Sequence, residues 1–354
     1  MESKYNYFSI HDNFSLKICC ISYNLHGIAL DSNQINEVLI KHKNNNCDIY
    51  AIATQESQRS ILMNLFFWDK TKFELDLAHF FGKEYVRLHP ETLGGVHLII
   101  FIKNIHKNYI LNYYKEYIKT GFYGLLGNKG GIGIGFTLYN ISFFFVNCHL
   151  CFGFNNSLYR NYDFDYIKKN IHPDLYMYDV IIWMGDFNYR VNKTVEEAID
   201  IYKQKKEMSL LEYDQMNFEI KNLNLKSFGF KEGKIQFLPT YKYSDDYKNK
   251  IIIDNCDHIP SWTDRILYNV NNKKFTIIEN DEREIYKDPE QIIEEIKTQS
   301  ENSLEESNEE EYLNLNKEEK YTEPTFSLLA YNSMQNIVFS DHKPVFAYFN
   351  INIK

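Results

Sequence analysis

Long apolar runs and a dense cysteine framework are both missing from this sequence. No apolar stretch approaches the roughly 18 residues that a membrane-spanning helix needs, and the N-terminus lacks the apolar core of a signal peptide. The six cysteines, spread over 354 residues, do not form the disulfide framework of a small secreted domain. We therefore expect no transmembrane segment, reduced cysteines and a cytoplasmic location.

Short signals for metals, nucleotides and lipid anchors are incomplete as well. Cys148 and Cys151 have CxxC spacing, but no second pair completes a zinc site. The stretch 127–131 lacks the GxxxxGK[ST] order of a nucleotide-binding P-loop. Position 2 is Glu rather than the Gly that myristoylation requires, and the last residues contain no cysteine for prenylation. Any membrane contact is therefore expected to be peripheral, on the cytosolic face.

The net charge of −9 is unevenly distributed along the chain. Residues 279–323 hold 17 acidic and 5 basic residues, so the rest of the chain has a net charge of +3. That mild positive charge is compatible with an anionic substrate but falls short of the strongly basic face of a nucleic-acid-binding protein. We expect no nucleic-acid partner, and the composition of 279–323 predicts a solvated, flexible insertion.

Short apolar runs that end in polar residues recur along the chain and predict β-strands. They lie at 16–23, 48–53, 96–102, 132–138, 141–146, 180–184, 265–268 and 345–349. Helical patterns lie at 32–42, 60–67, 159–169 and 194–205, the last with Thr194 as its N-cap. Several runs are continuously apolar, as in strands covered on both faces. The pattern favours two sheets packed face to face with helices outside over a βαβ Rossmann order.

A strand that ends in Gly185, Asp186, Phe187 and Asn188 carries the strongest chemical signal. It delivers a carboxylate and an amide to the edge of a sheet, where Asp186 can orient or deprotonate a water and Asn188 can donate to a phosphate oxygen. The alternative is a strand followed by an ordinary Asx-type turn. Taken alone, this motif leaves both interpretations open.

Other polar residues stand at the same kind of position. Asp341 and His342 precede the last predicted strand, Asn24 and Glu56 follow the first two, and His149 follows a further apolar run. Carboxylate and amide oxygens suit Mg²⁺, which keeps water and substrate phosphate as its remaining ligands. A lone Asp-His pair is more often a hydrogen-bonded strand cap, so the pair is not diagnostic alone.

Three segments each contain a Lys or Arg side chain that is placed to bind an anion. Lys129 lies among the glycines of 127–131, which predicts a flexible loop whose backbone N–H groups also face an anion. Lys242 and Arg265 each stand beside aromatic residues. The alternative for each is a solvated side chain whose aromatic neighbour belongs to the core.

Taken in order, these motifs resemble the inositol polyphosphate 5-phosphatase family, within the larger group that includes deoxyribonuclease I, apurinic endonucleases and neutral sphingomyelinases. The resemblance covers about residues 16–350. The motifs around Asp186 and His342 are shared by the whole group. Those similar to the phosphatase branch alone lie at 128–131, 188–190, 239–243 and 260–267. The resemblance implies an α/β fold, a four-layer α/β/β/α sandwich of two packed mixed sheets flanked by helices, as in deoxyribonuclease I.

The resemblance also implies one catalytic domain over 14–354, interrupted by the acidic insertion at about 279–323. The implied reaction is Mg²⁺-dependent hydrolysis of the 5-phosphate of phosphoinositides or soluble inositol polyphosphates, by in-line attack of an activated water. The residues that resemble metal ligands are Asn24, Glu56 and Asp341. Those that resemble catalytic groups are His149, Asp186, Asn188, Asp264, Asp341 and His342. Those that resemble substrate-binding residues are Asn128, Lys129, Tyr189, Arg190, Tyr241, Lys242 and Arg265.

Within that set the resemblance implies distinct roles. Asp186 with Asn188 would position the attacking water. His342 would contact the scissile phosphate while Asp264 holds its ring, and His149 would be a second histidine that faces the phosphate.

Two segments depart from the family pattern. Asp257 and His258 stand where the family carries a basic pair, which predicts a weaker grip on a neighbouring 4-phosphate. Residues 151–154 replace the usual small residues, so a substrate-facing loop is expected to differ. Aromatic clusters at 66–68 or 122–126 are a hypothesised bilayer contact, and burial in the core is the alternative.

Two other functions remain open from the sequence. A nuclease or sphingomyelinase would use the same metal site, but a nuclease needs a more basic body and a sphingomyelinase would lack Lys242 and Arg265. A catalytically silent phosphoinositide-binding module would have lost at least one of the acidic, amide or imidazole groups named above, and all are present.

Overall fold

The computed structural model describes residues 14–57, 69–121, 126–222, 229–244, 249–278 and 324–353. The β-strands are β1 (Phe14–Asn24), β2 (Ile49–Gln55), β3 (Tyr85–Arg87), β4 (Glu91–Leu93), β5 (Val96–Lys103), β6 (Ile110–Thr120), β7 (Leu126–Leu138), β8 (Ile141–His149), β9 (Val180–Asp186), β10 (Lys231–Glu232), β11 (Asp264–Val270), β12 (Thr276–Ile278), β13 (Thr325–Ser333) and β14 (Val345–Ile353). The α-helices are α1 (Ser32–Asn44), α2 (Thr71–Phe81), α3 (Ser157–Asn170), α4 (Val195–Lys203) and α5 (Gln215–Asn222).

The strands form two mixed sheets. The first is 8-stranded, in the order β12, β13, β14, β1, β2, β5 and β3, with β4 also paired to β5. The second is 6-stranded, in the order β10, β11, β9, β8, β7 and β6. In the first sheet β1 runs parallel to β2 and antiparallel to β14. In the second sheet β9 runs parallel to β8 and antiparallel to β11.

Apolar side chains on both faces of each sheet hold the layers together. On β1, Leu16, Ile18 and Cys20 belong to the core between the two sheets, whereas Cys19 and Ile21 belong to a separate core beneath α1 and α2. Successive residues of a strand point to opposite faces, so both sets are buried only because the sheet is covered on both sides. A third core packs α3 against the second sheet. The predicted four-layer α/β/β/α sandwich is confirmed.

The strands and helices predicted from patterns among neighbouring residues agree with the structure. Each predicted strand overlaps an observed one, as do the predicted helices at 32–42, 159–169 and 194–205. Thr194 is confirmed as an N-cap: its side chain accepts from the backbone N–H of Glu197, whose side chain reciprocates in a capping box.

The glycine-rich stretch at 127–131 is not the flexible loop that its composition predicts. It lies inside β7, where Gly130 and Gly131 pair with β6 on one side and with β8 on the other. Gly130 has a φ of +148°, and a Cβ there would lie 2.1 Å from the carbonyl oxygen of Ile118. Glycine is therefore needed for close strand packing rather than for mobility. As a result, Lys129 occupies a fixed strand position one residue from the register pair of Gly130 and His149.

The longest strands that the sequence patterns do not predict are β6 and β13. Most side chains of β6, an edge strand, are exposed or half-buried, so it lacks the apolar signature of a strand covered on both faces. The predicted helix at 60–67, the aromatics at 66–68 and 122–125, and the acidic insertion at 279–323 lie outside the described residues. The single-domain boundaries therefore stay a prediction, although β12 and β13, which flank the insertion in sequence, pair in parallel. In the described residues, no helix is both long and apolar enough to span a bilayer.

Two buried histidines in the layers around the first sheet predict a loss of stability in acid. His42 is 5% exposed and His97 is fully buried. Burial, with smaller effects of nearby lysines, lowers the pKa of His42 to about 4 and that of His97 to about 3. Because both folded-state pKa values lie below the unfolded value, the unfolded chain takes up more protons as the pH falls below about 6.5.

We therefore expect each of these two histidines to contribute its full stability above about pH 6.5 and to remove about 2 kcal/mol of the free energy of unfolding by pH 5. Urea unfolding at several pH values between 5 and 7 measures the slope. A His97→Gln variant should show a flatter slope than the parent chain. Equal slopes in the two proteins would contradict the assignment.

Candidate active site

Four strands end in polar residues at one edge of the sandwich. Asn24 and Gln55 are the last residues of the parallel strands β1 and β2, and His149 and Asp186 are the last residues of the parallel strands β8 and β9. The register sets Asn24 opposite Gln55 and His149 opposite Asp186. Glu56 follows directly on Gln55. The strand ends that the sequence singles out therefore meet at the same edge.

Hydrogen bonds across the gap between the sheets join the two halves of this site. Asn24, in the first sheet, donates from Nδ2 to Asp186 Oδ2, in the second, at 3.0 Å. His342 precedes β14 of the first sheet, and its Nδ1 lies 2.8 Å from Oδ2 of Asp264, which begins β11 of the second. The site lies on the seam between the sheets, so neither sheet contains it alone.

Asp186 is buried and accepts hydrogen bonds from two asparagines. Its Oδ1 accepts from the backbone N–H of Asn188 at 2.9 Å, and its Oδ2 accepts from the side-chain amides of Asn24 at 3.0 Å and Asn188 at 3.2 Å. Burial favours the neutral carboxyl, but the hydrogen bond of His149 and the positive charges of His342 and Lys129 hold the pKa of Asp186 well below its usual range. Asp186 is therefore ionised at neutral pH.

The two histidines of the site are held in opposite protonation states. Burial favours a neutral imidazole, but the charge and hydrogen bond of Asp264 outweigh it and raise the pKa of His342 to about 9. For His149, burial and the charge of Lys129 lower the pKa, although Asp186 acts in the opposite direction. His149 Nε2 is in contact with Lys129 Nζ and lies 3.3 Å from Asp186 Oδ2. At neutral pH the site thus holds one imidazolium and one neutral imidazole.

Three residues of the site have a left-handed backbone. The φ values are +46° at His26, +50° at Glu56 and +58° at Asn188. Such conformations are uncommon outside glycine and cluster at functional sites. The Gly27 N–H donates to the carbonyl oxygen of Glu56 at 2.7 Å and holds the turn there. The Oε1 atom of Glu56 lies 3.6 Å from His149 Nε2.

The predicted metal ligands Asn24, Glu56 and Asp341 lie around this cluster. Glu56 Oε1 is 3.6 Å from the nearest nitrogen of His149, and Asp341 Oδ2 is 3.4 Å from Lys242 Nζ. Both distances exceed those of charge-assisted hydrogen bonds, so the two carboxylates keep the capacity to bind a cation. Carboxylate and amide oxygens are the ligands that Mg²⁺ and Ca²⁺ prefer. These residues fit a divalent ion.

A second set of potential ligand atoms belongs to Asp186, Asp264 and His342, which lie within 4.8 Å of one another. Asp264 Oδ2, however, already accepts from Thr240 at 2.7 Å and from Thr263 at 2.9 Å, and it faces His342 Nδ1. A metal on that oxygen would break the contact that keeps His342 charged. We therefore assign Asp264 Oδ2 and His342 Nδ1 to a hydrogen-bonded pair rather than to the metal site.

Arg265 does not lie where the resemblance places it. The prediction that it contacts the substrate is wrong, because the side chain is fully buried and bonded to protein acceptors. Its Nε and Nη2 donate to the two carboxylate oxygens of Glu232 at 2.6 Å, and its Nη1 donates to Asp214 at 2.9 Å. Asp264 and Arg265 are consecutive strand residues, so when Asp264 faces the site Arg265 points to the opposite face of the sheet.

The predictions that Tyr189 and Arg190 contact the substrate are also wrong. Tyr189 is fully buried and donates its hydroxyl to Asn161, in a core outside the second sheet. Arg190 is 1% exposed, and its Nη2 donates to the side-chain oxygen of Asn188 at 2.7 Å while its Nη1 donates to the Asp257 carbonyl at 2.8 Å. Neither side chain is available to a substrate. Arg190 instead orients the amide of Asn188.

The remaining predicted substrate residues lie beside the cluster. Lys129 and Asn128 are half-buried, and the side-chain oxygen of Asn128 is buried without a hydrogen-bond partner. Lys242 reaches Asp341. The ring of Tyr241 packs at 4.5 Å from the ring of His342, so its clearest role is to hold that imidazole. Direct substrate contacts of these four residues stay predictions.

Sequence reasoning missed His26. Its Nδ1 lies 3.4 Å from Asp341 Oδ1 and 3.9 Å from Glu56 Oε2, at the exposed side of the cluster. The only signal in the sequence is its position two residues after Asn24, in a turn that ends in glycine.

The chain is similar to known phosphatases in sequence. The profile of Endonuclease/Exonuclease/phosphatase family 2 matches residues 21–291. Inositol-1,4,5-trisphosphate 5-phosphatase 1 of Schizosaccharomyces pombe is 32% identical over 282 residues, which cover 76% of this chain and 26% of that protein. The chain thus spans about a quarter of the length of that relative.

The fold is similar to solved structures as well. The inositol polyphosphate 5-phosphatase domain of SPsynaptojanin, in complex with inositol (1,4)-bisphosphate and a calcium ion, has a TM-score of 0.70 and 25% identity, with 97% of this chain and 86% of that chain covered. Cimex nitrophorin, solved as a ferrous NO complex, has a TM-score of 0.62 and 18% identity, with 96% and 99% covered. The second likeness shows the fold alone, so function has to be argued from the site.

Proposed function

Because the chain belongs to endonuclease/exonuclease/phosphatase family 2, we propose that it is a Mg²⁺-dependent phosphoric monoester hydrolase that removes the 5-phosphate from inositol polyphosphates or phosphoinositides. The observation that carries the proposal is the convergence of Glu56, His149, Asp186 and His342, far apart in sequence, at one edge of the sandwich. Similarity to an inositol-1,4,5-trisphosphate 5-phosphatase and to a domain bound to inositol (1,4)-bisphosphate supports the substrate class.

Asp186 and Asn188 would orient the attacking water. Asp186 is an ionised acceptor with a depressed pKa, so it aligns a water molecule rather than acting as a strong base. The Asn188 amide is fixed on both sides, because Nδ2 donates to Asp186 and to the Leu150 carbonyl while Oδ1 accepts from Arg190. Polar groups held in place before the reaction need no costly rearrangement in the transition state.

His342 would donate a hydrogen bond to an oxygen of the transferred phosphoryl group. Its Nδ1 faces Asp264, which leaves Nε2 on the opposite side of the ring. The imidazolium would stabilise the negative charge that the transferred group carries in the transition state. Lys129, in contact with His149, would add a second positive group near the same oxygens.

Asn24, Glu56 and Asp341 would hold Mg²⁺, which when bound neutralises charge on the transferred phosphoryl group and the leaving oxygen. The similar domain was crystallised with calcium, another ion that prefers oxygen ligands, so the choice of Mg²⁺ belongs to the proposal. Hydrolysis of a phosphate monoester is extremely slow without help, and it depends mainly on positioning and charge stabilisation.

The surroundings of the site bear on the substrate. Asp257, in place of a basic residue, accepts from the backbone N–H of Phe154 through its carboxylate, while its backbone carbonyl accepts from Arg190 Nη1 at 2.8 Å. We propose a weaker grip on a neighbouring 4-phosphate on this ground. The proposal includes a cytoplasmic location, peripheral contact with a membrane for a lipid substrate, and no nucleic-acid partner, all of which rest on composition.

The test is release of phosphate from a panel of inositol phosphates and phosphoinositides, with the position of the lost phosphate assigned. We expect release of the 5-phosphate with Mg²⁺ and none with a chelator. Loss of the 3- or 4-phosphate instead would refute the proposed specificity.

The variant Asp186→Asn distinguishes phosphate release by this chain from release by a contaminating phosphatase. Asp186→Asn keeps the size of the side chain but loses the ionised acceptor, and we expect its rate to fall by about 10²–10⁴-fold. Circular dichroism would establish that the variant is folded. Full activity in a folded variant would show that another protein releases the phosphate.

A further inference from the structure

The imidazole of His26 lies between two carboxylates at the exposed side of the active site. Its Nδ1 is 3.4 Å from Asp341 Oδ1 and 3.9 Å from Glu56 Oε2. The side chain of His26 is 45% exposed, whereas that of Asp341 is 4% exposed. A ring that approaches both predicted anionic ligands from the solvent side is placed to share a cation with them.

Hydrogen bonds hold the backbone of His26 in position. The His26 N–H donates to Asn24 Oδ1 at 3.0 Å, and the following N–H, of Gly27, donates to the carbonyl oxygen of Glu56 at 2.7 Å. The residue has a left-handed φ of +46°. The turn is thus tied to both Asn24 and Glu56, which fixes the Cα of His26 relative to the two predicted ligands.

An imidazole nitrogen changes the metal preference of an oxygen site. Carboxylate, amide and water oxygens suit Mg²⁺, Ca²⁺ and Mn²⁺, whereas imidazole suits later first-row transition metals such as Fe²⁺, Ni²⁺ and Zn²⁺. His26 Nδ1 lies farther from both carboxylate oxygens than a normal hydrogen bond allows. Neither carboxylate is therefore held by His26, and both can still bind a cation.

We propose that His26 is a nitrogen ligand of the divalent-ion site formed with Glu56 and Asp341, and that it shifts the preference of this site from Mg²⁺ toward first-row transition-metal ions, for which Mn²⁺ is the paramagnetic probe. The inference rests on the proposed metal site but not on the substrate. It assigns to the chain a mixed nitrogen and oxygen ligand set in place of one made of oxygen alone.

Binding of Mn²⁺ to the whole chain, without substrate, tests this proposal. Electron paramagnetic resonance of free Mn²⁺ gives its affinity, competition with Mg²⁺ gives the preference, and electron spin echo modulation detects a directly bonded nitrogen. The variant is His26→Asn, because asparagine tolerates a left-handed backbone better than most residues. His79→Asn, which removes an exposed imidazole from α2, is the matched control.

We expect a nitrogen coupling in the parent chain and in the control, and its loss in His26→Asn. The affinity of His26→Asn for Mn²⁺ should fall by roughly tenfold or more, with a much smaller change for Mg²⁺. A parent chain without nitrogen coupling, or a coupling that survives in His26→Asn and so comes from another histidine, would overturn the proposal. Failure to bind Mn²⁺ would overturn it as well.

Phosphate release from the inositol phosphate panel is measured in parallel and separates the two proposals. A chain that releases the 5-phosphate but shows no nitrogen coupling keeps its proposed function and loses only the role of His26. A chain that shows the His26-dependent coupling but releases no phosphate loses the proposed function and keeps the ligand.

Discussion

Asp264→Asn is expected to lower kcat by about 10³–10⁴-fold while leaving the fold intact. Asp264 is fully buried, and its Oδ2 is the acceptor that faces His342 Nδ1 at 2.8 Å. An amide cannot stabilise an imidazolium as a carboxylate does, and it can present an N–H to Nδ1, which favours the wrong tautomer. His342 would then lose both its charge and its orientation toward the phosphoryl group.

Two further variants make this expectation specific. His342→Gln should lower kcat to a similar extent, and the double variant should be little worse than either single variant, because the two residues act as a unit. Asp200→Asn, at an exposed aspartate of α4, is the matched control and should retain its rate. Additive losses in the double variant would show that Asp264 and His342 act separately.

Arg265→Met is expected to lower the free energy of unfolding by about 3–5 kcal/mol. The guanidinium binds both oxygens of Glu232 and one of Asp214, and all three side chains are at most 7% exposed. Removing the cation leaves two carboxylates buried without their partner, which costs more than the loss of a surface ion pair. Urea unfolding measures the change.

The same variant separates a structural role from the substrate contact that the resemblance implies. At a temperature where Arg265→Met is folded, its KM should match that of the parent chain, whereas Lys242→Met should raise KM with little effect on stability. Replacing Glu232 by Gln and Asp214 by Asn in the Arg265→Met chain should restore part of the lost stability. A raised KM with unchanged stability in Arg265→Met would reinstate the substrate role.

Much of the fold could be predicted because its strands carry their own signal. A strand buried on both faces must be apolar at nearly every position, and this pattern is visible in runs such as the one that becomes β8. The capping box at Thr194 is equally local, since all its groups lie within one helical turn. The edge strand β6 has no such pattern, because one of its long sides meets no other strand in the described sheet.

The candidate site could be predicted only in part, and the reason is the alternation of side chains along a strand. Motif matching names Asp264 and Arg265 together, yet they lie on opposite faces, one in the active site and the other in a buried ion-pair network. From the sequence, Gly130 is predicted to lie in a loop. In the structure it lies so close to the Ile118 backbone that only glycine allows the two strands to pack.

The types of residue at strand ends, the apolar runs and the charges were readable from the chain because they depend on neighbours in sequence. The contacts of Asn24 with Asp186, and of His342 with Asp264, were not, because each joins two sheets whose relative placement depends on the packing of the whole core between them. The place of His26 between Glu56 and Asp341 belongs to the same class: it follows from how two turns meet, which no single segment encodes.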